Sequence, residues 1–109
     1  MDRYDDIIED LGVKELATIQ AIRDKERADL SKADEEIAKV LKDLAARAHT
    51  FISIREFRRV RDRECRLCVR AKDRISDTAN KDIRRLRRET FTTQKAYRRQ
   101  QFFVENNPK

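Results

Sequence analysis

Two arrangements of reactive side chains overlap between residues 59 and 74. Cys65 and Cys68 form a Cys-x-x-Cys within the stretch RECRLCVRAKDR, and Arg59, Arg63, Arg66, Arg70 and Arg74 recur around them at steps of four, three, four and four. On a helix the first spacing puts two thiols on one face, and the second strings five guanidinium groups along one line. Paired thiolates suggest metal or redox chemistry. A line of planar guanidinium forks suits a row of phosphate or carboxylate oxygens.

The thiols are short of partners. A structural zinc takes four ligands, and the chain adds to its two cysteines a single histidine, His49. A closed site at Cys65 and Cys68 would need both thiolates from each of two chains, or help from carboxylates. A redox Cys-x-x-Cys belongs beside a βαβ pattern, and the only run with strand character is FISI, residues 51–54. The surrounding arginines would lower the thiol pKa and make oxidation easier. The reading that asks least is that both cysteines tuck inward beside Leu67 and Ala71 as small apolar residues. No metal and no cofactor is expected.

Other catalytic groupings are absent from the sequence. There is no Gly-rich phosphate loop, no Gly-x-Ser-x-Gly elbow and no paired-histidine motif. The pairs Asp5/Asp6 and Glu35/Glu36 fit helix N-termini, where negative charge is favoured, and His49 beside Thr50 fits a helix C-terminal cap. The expectation is a protein that is not an enzyme.

The basic line continues beyond Arg74 with Lys81, Arg85, Arg88, Lys95 and Arg99, and is broadened by Arg58, Arg61, Arg84, Arg87 and Arg98. Residues 1–54 hold 9 Lys and Arg against 13 Asp and Glu, net −4; residues 55–109 hold 18 against 8, net +10. Intrahelical pairs such as Asp62 with Arg66, Asp77 with Lys81 and Arg85 with Glu89 would neutralise some of this, and packing against the acidic first half would neutralise more. An excess of cations remains, which is the electrostatic footprint of a protein that binds DNA or RNA through phosphates, largely without regard to sequence. The alternative is an adaptor, inhibitor or coiled-coil scaffold subunit docking on an acidic protein surface. Near the end, Tyr97, Phe102 and Phe103 sit among Arg98, Arg99 and glutamines, where they would stack unpaired bases or contact a partner; Phe91 and Tyr97 would otherwise close the bundle.

The elements that must position these residues are helices. Charged residues make up 44% of the 109 and apolar ones 39%, with one Gly and one Pro, a composition of long helices or coiled coils. A first helix is expected from Arg3 to about Asp29, with Gly12 weakening its first turns. A second is expected from Ser31 as N-cap, carrying a heptad line (30, 33, 37, 40, 44, 47, 51, 54) broken only by Arg47. Ser53-x-x-Glu56 reads as a capping box opening a third helical stretch of over forty residues, with Ser76, Asp77, Thr78 and Asn80 as the one place for a break. In that stretch the steps of four at 67, 71, 75, 79 and 83 approach an eleven-residue rhythm.

The expected fold is therefore all-α, an antiparallel helical hairpin or bundle, or an elongated coiled coil. It reads as one domain over 1–109: an acidic helical half 1–52, a basic half 53–104 and a frayed tail 105–109. So little apolar surface per residue points to a homo-oligomer. No run approaches the roughly 20 apolar residues of a membrane span, and no secretory leader is visible, so an intracellular location is expected, cytoplasmic or in the nucleoid or nucleus.

Overall fold

The computed structural model describes residues 3–106. Two long helices account for nearly all of them: α1, Arg3–Ala46, and α2, Ile54–Asn106, with a 3-10 turn at Ala48–Thr50 between. The fold is all-α, and its helices pack antiparallel. Residues 107–109 of the expected tail lie outside the described residues; residues 105 and 106 close α2.

The join between the helices follows the capping signature closely. The Glu56 amide donates to Ser53 Oγ at 3.1 Å, and the Glu56 carboxylate reaches back to the Ile52 amide at 3.0 Å. The reciprocal pair satisfies two amides that the helix start leaves open. The rings of Phe51 and Phe57 meet edge to face at 5.4 Å and fix the angle of entry. FISI is thus a connector and a cap, not a strand. On the other side, Thr50 rather than His49 closes the turn, its hydroxyl donating to the Arg47 carbonyl at 2.7 Å and its amide to the same oxygen at 2.9 Å.

Neither expected break inside a helix occurs. α1 runs through Ser31, which is exposed, because Leu30 and Ala33 on either side are half-buried and carry the inward line across. α2 runs through residues 76–80, where Ile75 and Ser76 are half-buried and Ala79 is buried. Tertiary packing of one face outweighs the capping tendency of short polar side chains.

The chain divides into two compact units, residues 1–24 with 79–109 (unit 1) and residues 25–78 (unit 2). Unit 2 is a helical hairpin whose buried residue is Leu44; Lys72 Nζ reaches Asp34 Oδ1 across it at 2.7 Å. Unit 1 pairs the start of α1 with the end of α2. Among the described residues Ala79, Ile83 and Thr90 are its buried ones, while Gln94 Nε2 donates to the Ile8 carbonyl at 3.0 Å and Gln101 Nε2 to Asp5 Oδ1 at 2.9 Å. The buried interior is thin in both.

Along α2 the half-buried or buried line passes through residues 72, 75, 79, 83, 86, 90, 94, 97 and 101, steps of three, four and four that repeat every eleven residues. Leu67 and Ala71 fall off this line and are exposed; Glu64, Cys68 and Lys72 take the inward places. The reason is angular. Each step of four overruns a full turn by about 40°, so four such steps from Ile83 back to Leu67 turn the side chain about 160° away.

Candidate polyanion-binding surface

Each unit carries its own array of cations on α2. In unit 2, Arg59, Arg63, Arg66, Arg70 and Arg74 are all exposed. These positions lie one residue before, or two residues after, the inward positions 60, 64, 68 and 75, so they occupy the side and back of the helix, away from α1. In unit 1, Lys81, Arg85, Arg88, Lys95 and Arg99 are likewise exposed.

The expected neutralising pairs are largely replaced. Asp62 meets Arg61 at 3.4 Å instead of Arg66, and Arg85 turns back to Asp82 at 3.1 Å instead of forward to Glu89. Lys81 has no ion pair with Asp77. Among the described residues, Arg59, Arg63, Arg66, Arg70 and Arg74 have no carboxylate within ion-pair distance. Because α1 packs on the opposite side of α2, its acidic side chains make no ion pair with this row among the described residues; in unit 2 Asp34 pairs instead with the half-buried Lys72.

One feature of unit 1 was not singled out from the sequence. Lys81, Arg84 and Arg88 line an open groove of about 430 Å³ on the surface of α2. Their spacing of three and four was the available signal, but Arg84 reads in sequence only as a neighbour of the main line. With Arg85 engaged by Asp82, these three cations share one groove of unit 1.

The aromatic residues divide. Tyr97 is half-buried on the inward line, while Phe91, Phe102 and Phe103 are 62%, 68% and 66% exposed. Tyr97 therefore closes unit 1 as expected for a core residue, and Phe91 does not.

Cys65 and Cys68 are free thiols, half-buried on the α1-facing side of α2 in unit 2, without the expected company of Leu67 and Ala71. The electrostatics at Cys68 run opposite to the expectation from the arginines. Desolvation pushes its thiol above the ordinary value of 9.0, with Cys65, Glu64 and Glu36 adding in the same direction. The exposed guanidinium groups on the side and back of the helix do not offset this. Among the described residues no three His, Cys, Asp or Glu side chains converge as a metal site. No helix among them is long and apolar enough to cross a membrane.

Comparison with known proteins finds no matching family model, no matching curated protein and no matching solved structure.

Proposed function

We propose that the protein is a non-enzymatic, self-associating helical protein that binds DNA or RNA through phosphate contacts, largely independently of sequence, inside the cell: in the cytoplasm, nucleoid or nucleus. The observation that carries this reading is the row Arg59, Arg63, Arg66, Arg70 and Arg74, exposed and without carboxylate partners in a unit whose 15 Lys and Arg outnumber its 11 Asp and Glu. Unpaired, aligned guanidinium groups repel one another unless an external anion lies along them, and a row of phosphates supplies charge at comparable spacing. Lys81, Arg84 and Arg88 in unit 1 would add a second point of contact.

The test is fluorescence anisotropy against a labelled duplex of roughly 30 base pairs and a single strand of equal length, across a series of salt concentrations. Log affinity should fall linearly with log salt, with a slope of about −0.9 per phosphate contacted on duplex. Binding that disappears by physiological salt would reject the reading.

A second reading has its own observation. Phe102 and Phe103 are exposed at the end of α2 beside Arg98 and Arg99, a combination that also suits an acidic protein surface with an apolar centre. A stoichiometric acidic partner recovered after nuclease treatment would favour it.

A further inference from the structure

Unit 1 has two lateral faces, and they differ. On one, Thr18, Asp82, Arg85 and Glu89 line a groove together with Ile22 and Leu86. Thr18 directly precedes inward Ile19, and Asp82, Arg85 and Glu89 precede Ile83, Leu86 and Thr90, so residues one position before the inward ones share this side on both helices. In an antiparallel pair, residues one position after the inward ones must then share the other side. On α1 these are Asp5, Glu9, Val13, Leu16 and Gln20, following Tyr4, Ile8, Gly12, Glu15 and Ile19. On α2 they are Arg84, Arg87, Phe91, Lys95 and Arg98.

The apolar members of this second face come together. Gly12 lies against Gln94, and Gln94 donates to the Ile8 carbonyl, so Val13 and Leu16 stand level with Phe91. They are 59%, 69% and 62% exposed. Around them the charges are sorted by helix. In unit 1, residues 3–24 of α1 hold 3 Lys and Arg against 6 Asp and Glu, and residues 79–106 of α2 hold 8 against 3.

We propose that this face is covered by a second copy of the chain, related by a two-fold axis parallel to the helices, so that the unit 1 pairs form a four-helix bundle. Phe91 then packs on the partner's Val13 and the partner's Leu16, while Asp5 and Glu9 face the partner's Lys95 and the partner's Arg98. Charge selects this arrangement over its rival. A two-fold axis perpendicular to the helices would lay acidic α1 on acidic α1 and basic α2 on basic α2, whereas the parallel axis puts each α1 on the other copy's α2. Every neighbouring pair in the bundle is then antiparallel. The proposal deepens the self-association part of the proposed function; it leaves the row Arg59 to Arg74 of unit 2 aside and takes Arg84 of the unit 1 groove into the covered face.

The experiment is sedimentation velocity of the full-length, nuclease-treated protein over a range of concentrations. Twice the 13.0 kDa chain mass is expected. Phe91→Glu should weaken the dimer more than about 100-fold, as two phenyl groups lose their burial. Glu9→Lys should weaken it, and Glu9→Lys with Lys95→Glu should restore it, which guards against a variant that fails for reasons of folding. Geometry is read by mixing Val13→Cys and Phe91→Cys chains, both lacking Cys65 and Cys68 by Cys→Ser substitution. Oxidation should join 13 to 91 in preference to 13 to 13. A chain that stays monomeric, a dimer indifferent to Phe91→Glu and to the charge exchange, or preferred 13 to 13 cross-linking would each overturn the proposal.

Discussion

Reversing two charges in the middle of the unit 2 row, Arg66→Glu with Arg70→Glu, gives the polyanion reading its sharpest consequence. Both side chains are exposed and neither has a carboxylate partner to lose, so the substitution removes no internal contact. Arg and Glu have nearly equal helix propensity, and the new like-charge neighbours cost only a few tenths of a kcal/mol. Far-ultraviolet circular dichroism should be unchanged. If all five arginines of the row engage a duplex, the slope of log affinity against log salt is about −4.5, and losing two contacts brings it to about −2.7. Between 50 and 200 mM salt the native protein would weaken about 500-fold and the variant about 40-fold, with the variant about 30-fold weaker at 0.15 M from counterion release alone. Contacts elsewhere change the absolute slopes but not their difference of about 1.8. Lys39→Glu with Lys42→Glu, exposed on α1 of the same unit, makes the same change in net charge and should leave the slope nearly intact. Equal losses in the two variants would mean that net charge, not the row, attracts the nucleic acid. An unchanged slope in folded Arg66→Glu/Arg70→Glu would refute the site outright.

Three further outcomes follow from local geometry. Gly12→Ala should raise stability by about 1 kcal/mol and the thermal midpoint by about 4 °C, because the position is helical and an added methyl would sit 3.6 Å from the Gln94 amide, an ordinary contact; a fall in the midpoint would mean that close approach of the helices requires glycine there. Ser53→Ala should cost about 1 kcal/mol by urea titration and speed hydrogen exchange in the first turn of α2, since it leaves the Glu56 amide without its acceptor. Alkylation read by mass spectrometry, with cleavage at Arg66 separating the two thiols, should show Cys68 reaching half its maximal rate above pH 9.0, because its neutral form is favoured and the reactive thiolate appears only as pH rises past the ordinary value. A Cys68 rate that peaks below that pH would restore the redox reading.

The helical class, the capping box and the exposure of the arginine row were legible in sequence because each depends on short-range spacing. Ser53 and Glu56 need only a spacing of three, and the row needs only 3.6 residues per turn. What was not legible depends on which of two competing faces wins. Leu67 and Ala71 lie on a four-step line as regular as the true one, and only the partner helix decides that Glu64, Cys68 and Lys72 turn inward instead. The same decision inverted the electrostatics of Cys68: Arg66 and Arg70 flank it in sequence, but the helix sends their charge outward, and desolvation, with Cys65, Glu64 and Glu36 adding to it, holds the thiol above its ordinary value. Ser31 and Ser76 misled for a related reason, since a capping side chain marks a helix start only where packing does not continue past it.

The polar groups on the inward line also explain how so thin a core can hold a register. Leucine on leucine tolerates a slip of one turn between antiparallel helices, because the apolar stripe repeats. Gln94 on the Ile8 carbonyl favours one register, since it packs against Gly12, the one glycine of the chain, and Gln101 on Asp5 matches it. In unit 1 these bonds fix the height at which Phe91 stands beside Val13 and Leu16, although they add little to stability themselves. Stability has to come from apolar area, and Val13, Leu16 and Phe91 leave part of it exposed on the face the register assembles. A helix pair aligned by amides and, as proposed, completed by a second copy would reconcile a sequence that is 44% charged with an ordered fold.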